Sequence, residues 1–157
     1  MNALKSFLFL ILVAGLGAGY VPFVLLPSSP QVETGLFAYI AFPLWFLGGV
    51  TILWCFSDFA FKGRGTPNPM DPPKALVATG VYRYVRNPIY LGTLAIIVGH
   101  WLWFKSIWIL AYAIIVLLAF HLFVILYEEP TLKRKFGATY ENYSRSTPRW
   151  IPKIKVG

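Results

Sequence analysis

The chain has 157 residues, of which 57% are hydrophobic, 18% aromatic and only 13% charged. A soluble domain averages about 45–50% apolar and about 25% charged residues, so this composition excludes an ordinary soluble fold, a disordered chain and a collagen-like fibre. The single cysteine, Cys55, excludes an internal disulfide, and the formal charge of +8 must be explained by where the 14 basic residues lie.

Lys5 precedes the first apolar run, residues 7–26, which carries no charge. A signal-peptide core is about 7–15 residues long, so a retained span is expected here. Residues 36–56 and 107–127 form two further runs of the same kind, the latter interrupted only by His121. Crossing about 30 Å of hydrocarbon at about 1.5 Å per residue takes about 20 apolar residues, and these three runs qualify. The run 89–104 is shorter. Only Phe104-Lys105-Ser106 separates it from the next, which predicts a tight helical hairpin.

Four spans with both termini inside place Lys5, residues 62–86 and residues 128–157 in the cytoplasm. Those stretches hold 13 of the 14 basic residues, and only Lys105 falls outside. The basic excess is then explained by orientation and by anionic headgroups. No nucleic-acid partner is expected.

Two cytoplasmic segments, 62–88 and 128–157, carry the polar information. Pro and Gly precede Lys74 densely enough to preclude a long helix there. The spacing of Leu76, Val77, Val81, Tyr82, Tyr84 and Val85 predicts that the rest folds against something. At Arg86-Asn87-Pro88, Asn is a preferred helix cap and Pro a preferred first residue, so a helix starts there. Its free N–H groups beside Arg86 suit an anion, while the plainer alternative has Arg86 reaching lipid headgroups.

Glu128 and Glu129 follow the last run, a costly place for two carboxylates and by default a functional one. Adjacent helical positions diverge by about 100°, so one carboxylate is expected to face a ligand and the other to pair with an arginine or a backbone donor. Pro130 should break or kink the helix there. The alternative is an acidic cap for a following helix, residues 130–145. Phe136, Tyr140 and Tyr143, beside Lys133, Arg134 and Lys135, give that helix an interfacial character.

Other candidates carry less. His121 precedes Glu128 by seven residues, on the same helical face, and is a possible base, although a lone intramembrane His usually serves as a structural hydrogen-bonding residue. His100 belongs to an aromatic belt. Asp58 is expected to pair with Lys62, and Cys55 has no neighbouring base. No spacing suggests a metal site.

Together, Gly80-Val81-Tyr82, Arg86-Asn87-Pro88-Ile89-Tyr90, Glu128-Glu129 and Phe136-Gly137-x-x-Tyr140-x-x-Tyr143 resemble the isoprenylcysteine carboxyl methyltransferase family. That family sits within a wider group of integral-membrane methyltransferases that includes the phospholipid N-methyltransferases. The resemblance covers about residues 63–152. It implies S-adenosylmethionine as cofactor, held by Lys74, Leu76, Val77, Tyr82, Asn87, Pro88, Tyr90 and Glu128. Arg86, Glu128 and Glu129 would be the catalytic residues. Gly63-Arg64-Gly65 matches a short Gly-x-Gly element of the phospholipid enzymes. Asn87 stands where the prenylcysteine enzymes usually have His, and Val124 where a substrate-side Arg is expected.

The expectation is one all-α integral-membrane methyltransferase domain over residues 1–157. It has about four transmembrane helices (7–26, 36–56, 89–104 and 107–127) and a cytoplasmic cofactor pocket between 62–88 and the C-terminal segment. The acceptor would be lipophilic, an isoprenylcysteine carboxylate by the resemblance, and would enter from membrane lipid. The alternatives are a phospholipid or small-amine N-methyltransferase and, in another class, a non-enzymatic four-helix membrane protein or small transporter subunit. A transporter should carry ionisable residues at mid-membrane, whereas these gather at one edge.

Overall fold

The computed structural model describes residues 11–25, 35–59 and 75–153, and these contain helices and turns but no strand. Helix α1 joins a widely wound stretch, Ile11–Tyr20, to Val21–Leu25. A 3-10 turn, Leu36–Ile40, leads into Ala41–Asp58, and the two make helix α2. Helix α3 is Pro88–Phe104, and α4 is Ile107–Phe123 prolonged by a π-helical stretch, Val124–Glu128. Two short helices follow, α5 (Glu129–Phe136) and α6 (Ala138–Ser146).

Two helices, Leu36–Asp58 and Ile107–Phe136, are long and apolar enough to cross a membrane. The apolar helices Gly15–Leu25 and Pro88–Phe104 are shorter, so among the described residues two of the four expected spans reach full length. The short third helix has a local cause. Pro88 fixes its start, and Lys105, at φ +49°, ends it in the left-handed conformation. Ser106 then opens α4, its hydroxyl accepting from the Ile109 amide at 3.3 Å, which closes the expected hairpin. Large apolar side chains cover the outside: Leu36 is 85% exposed, Leu126 72% and Phe46 69%. A soluble protein buries such surface, whereas lipid accepts it, and the outward faces of both long helices are membrane surface.

Glycine sets the closeness of the helices. A Cβ on Gly48 of α2 would lie 2.6 Å from the Gly92 carbonyl oxygen of α3, and one on Gly92 2.9 Å from the Gly48 oxygen. The two backbones therefore touch, as small residues permit in membrane helices. Farther along, Trp45 lies against Gly99 and donates to the Ile96 carbonyl at 3.2 Å. Ala18 of α1 packs on Ile97, Ile109 and Ala113, and the Tyr112 hydroxyl donates to the Gly17 carbonyl at 2.8 Å.

Two expectations about the C-terminal part need correction. Of the break or kink expected at Pro130, the break does not occur, because Ile107–Phe136 runs on through it. The π-helical winding of Val124–Glu128 loosens the ladder just where Pro130 withholds a donor. The expected helix over 130–145 is instead divided at Gly137, whose φ of +52° favours a residue without a Cβ.

The glycine contact makes a specific prediction. Gly48→Ala should destabilise the protein by about 1–3 kcal/mol, through overpacking against backbone, and lower its melting temperature in detergent. At Gly49 an added Cβ meets nothing within 4 Å, and Gly49→Ala should be neutral or gain up to about 1 kcal/mol of helix propensity. Equal effects of the two variants would contradict the packing described.

Candidate active site

The segment entering α3 is folded onto the end of α2. Val77, Tyr82 and Val85 are buried, and Val77 and Tyr82 pack with Cys55, Phe56 and Phe59. Gly80 has φ +58°, and a Cβ there would collide with the Asp58 carboxylate, so only glycine lets the chain turn over Asp58. The Tyr82 ring meets Phe59 edge-on at 5.6 Å, and its carbonyl accepts the Tyr143 hydroxyl of α6 at 2.8 Å. Burial, then the neighbouring Cys55 and Glu128, pushes the Tyr82 phenol well above its usual pKa, which keeps it neutral.

Helix α3 starts at Pro88 as expected, but the Asn87 side chain does not cap it. Its Nδ2 donates to the Arg149 carbonyl at 3.1 Å, while its own carbonyl accepts from the Leu91 amide at 3.2 Å. The Arg86 amide donates to Pro148 at 2.9 Å and the Lys153 amide to Tyr84 at 2.8 Å. The stretch 148–153 thus lies along residues 84–87 as a strap, held by the Arg86 amide and the Asn87 side chain at the entrance to α3.

The two adjacent glutamates diverge. Glu129 accepts from Arg86 Nη1 at 2.9 Å, from Arg149 Nε at 2.7 Å and from Arg149 Nη2 at 2.9 Å. Arg149 grips both carboxylate oxygens, a bidentate geometry that suits guanidinium. These hydrogen bonds to Glu129 raise the Arg149 pKa further. Glu128 is turned the other way, and its Oε2 accepts the Tyr90 hydroxyl at 2.8 Å. The Tyr90 ring stacks on Phe120 at 4.5 Å, tying α3 to α4 beside the carboxylates. Among the described residues no cation pairs with Glu128.

Aromatic residues of α6 close the far side. Tyr140 is buried, and its pKa is raised by burial against the opposing effect of Arg86. Trp150, next to Arg149, donates from its indole N–H to His121 Nδ1 at 3.1 Å. Among the described residues no three His, Cys, Asp or Glu side chains gather as metal ligands would.

The structure therefore brings Arg86, Asn87, Pro88, Tyr90, Glu128 and Glu129 together at the junction of α3, α4 and α5. Tyr82 and Val77 lie in a layer beneath, and Leu76 is half-buried beside them. Arg86 is bound to Glu129 rather than offered to an anion or to headgroups, because a half-buried carboxylate takes the nearest guanidinium. Lys74, the Gly63-Arg64-Gly65 element, Lys5 and the Lys62 partner expected for Asp58 lie outside the described residues. Sequence reasoning missed Arg149 and Trp150. Their signal was an arginine and a tryptophan between prolines, Pro148-Arg149-Trp150-Ile151-Pro152, at a length where helix α6 had to end.

An all-helical membrane protein with paired carboxylates, arginines and tyrosines at one end of its apolar helices is the class that the fold and site define. A family profile for phospholipid methyltransferase matches residues 36–139, from α2 to the start of α6. The chain belongs to the phospholipid methyltransferase family, and so to the membrane methyltransferases. No curated protein and no solved structure matches it. Arg149 and Trp150 lie beyond the matched residues.

If Glu129 holds the strap, Arg149→Met should release it. Hydrogen exchange at the Arg86 and Lys153 amides should quicken at least about tenfold, equivalent to about 1.4 kcal/mol, with the Leu91 amide inside α3 little changed. Unaltered exchange at both strap amides would show that backbone contacts suffice.

Proposed function

We propose that the protein transfers a methyl group from S-adenosylmethionine to a lipophilic acceptor at the membrane. The observation that carries the cofactor half is Glu128. A carboxylate held, among the described residues, by the Tyr90 hydroxyl alone, beside a second carboxylate already bound by two arginines, suits an ammonium such as that of the cofactor's amino acid. The donor set therefore fits, and when bound there the cofactor supplies a sulfonium methyl, an electrophile that needs no metal.

The residues around it have separable tasks. Glu128 binds the ammonium and Tyr90 aims Glu128. Tyr82, Asn87 and Pro88, with Leu76 and Val77 behind them, shape the wall on the α3 side; the family resemblance adds Lys74 to the cofactor-binding set. Arg86 and Glu129, joined to each other, keep the catalytic end of α4 in register, which matters because methyl transfer is an in-line displacement governed by positioning. The site lies at the cytoplasmic ends of four spans within a single domain and both termini are cytoplasmic, a topology that the basic residues support.

For the acceptor, an isoprenylcysteine carboxylate is the first reading. A carboxylate needs no base, and the clustered glutamates are each engaged. The second reading, N-methylation of a phospholipid amine, draws support from the name of the family that the chain matches. Family membership also weighs against the non-enzymatic alternative.

Calorimetry of S-adenosylhomocysteine binding to the full chain in detergent tests the proposal. Saturable binding is expected, weakened about 10–100-fold in Glu128→Gln by loss of a charge-assisted contact of about 1.5–3 kcal/mol. Folded wild-type protein that binds nothing in detergent or in lipid would overturn it.

A further inference from the structure

His121 lies six residues inside the end of the apolar run 107–127, about 9 Å along the helix axis. Its position suggested a base. The hydrogen bond from Trp150 assigns it a different chemistry. An indole N–H can only donate, so Nδ1 of His121, 3.1 Å away, must be the acceptor and carries no proton. The neutral ring then has its proton on Nε2. Both nitrogens are thereby committed: Nδ1 has no free lone pair, and Nε2 has none at all. While Trp150 is in place, His121 cannot take a proton from a substrate.

What it can do is donate. Among the described residues Nε2 has no hydrogen-bond partner, and the ring is half-exposed on the helix face it shares with Leu117 and Leu118, exposed apolar side chains at i−4 and i−3. An N–H left unmatched in an apolar medium costs about 1–3 kcal/mol, so at this depth it calls for an oxygen from outside the protein. The ring is also close to the carboxylate cluster, since Trp150 adjoins Arg149, which grips Glu129.

We infer that His121, locked by Trp150 in the Nε2–H form, is the hydrogen-bond donor that receives an oxygen of the amphiphilic methyl acceptor, a carboxylate or a phosphodiester. The inference rests on the methyltransferase reading for the identity of the amphiphile, but the tautomer rests on geometry alone. It makes His121 a binding residue for the acceptor, and it places the acceptor's polar end between the bilayer and Glu128. Trp150 acts through His121 as a positioning residue.

The test is nitrogen and proton NMR of the full chain labelled with ¹⁵N-histidine in detergent, with His121→Gln used to assign the two histidines. S-farnesylcysteine supplies the carboxylate and a lysophosphatidylethanolamine the phosphodiester. The wild type should show an unprotonated Nδ1 and a protonated Nε2 at His121, a tautomer that Trp150→Phe loses. One of the two amphiphiles, added to protein saturated with S-adenosylhomocysteine, should shift the Nε2–H proton saturably, and which one identifies the oxygen. His121→Phe should weaken that amphiphile about tenfold, equivalent to about 1.4 kcal/mol, and change S-adenosylhomocysteine affinity less than twofold. His121→Gln, which can accept from Trp150 and still donate, should stay within about threefold of wild type. A proton on Nδ1, a shift from neither amphiphile, or equal unsaturable shifts from both, as bulk lipid would give, overturns the inference. Absence of S-adenosylhomocysteine binding in the same samples would instead sink the cofactor reading and leave the tautomer result standing.

Discussion

Everything at the polar end of this protein depends on how one carboxylate is neutralised. Glu129 follows Glu128 at the end of the apolar run 107–127, and its side chain is only 20% exposed. A charge so placed is tolerable only when paired and hydrogen-bonded. The partners come from elsewhere in the chain: Arg86 from the entrance to α3, and Arg149 from the strap after α6. One carboxylate thus draws three separated segments to one point. With Arg86 and Arg149 both on Glu129, Glu128 is left without a cationic partner among the described residues.

The backbone contributes by winding. Two adjacent glutamates on a regular helix already diverge, and the π-helical stretch Val124–Glu128 adjusts how they meet α3. The same stretch absorbs Pro130, so that α4 continues into α5 with its charged face beside the strap. The Gly48 and Gly92 contact lies just along α3 from Tyr90, two residues further into the helix. It fixes α3 against α2, and α3 carries Tyr90 and the Asn87 start that the strap engages. Helix closeness in the apolar region and carboxylate placement at its edge are therefore one construction.

How much of this was legible in the sequence follows from the range of each interaction. Apolar runs, the hairpin at Phe104-Lys105-Ser106 and the helix start at Asn87-Pro88 are local, and local patterns announced them. The divergence of Glu128 and Glu129 follows from helix geometry, and so did the expectation that one would pair with an arginine. Which arginine was not legible. Arg86 and Arg149 are 63 positions apart, and nothing in a periodicity connects them. Pro130 misled because its effect depends on the winding before it, and Gly137 was passed over because tyrosine spacing continued across it. Asn87 looked like a cap by residue type, yet its amide found a carbonyl from the strap instead. Local preference yields when a tertiary partner satisfies the same group.

The distribution of polar groups also bears on why the proposed chemistry would sit at this edge. A methyl donor that carries a carboxylate, an ammonium and a sulfonium partitions into water, whereas a lipidic acceptor does not leave the bilayer. A catalyst joining them needs charged ligands at the boundary and, deeper, groups that can engage an acceptor without carrying charge into hydrocarbon. Glu128 and the arginine pair meet the first requirement. A neutral histidine meets the second, provided its proton is fixed where the acceptor can use it, and Trp150 fixes it. The strap that brings Arg149 to Glu129 also brings Trp150 to His121, on consecutive residues. A segment beyond the matched part of the family profile thereby touches both ends of the proposed reaction, the charged edge and the apolar interior. Its ordering is therefore a condition for the two halves of the site to exist at the same time.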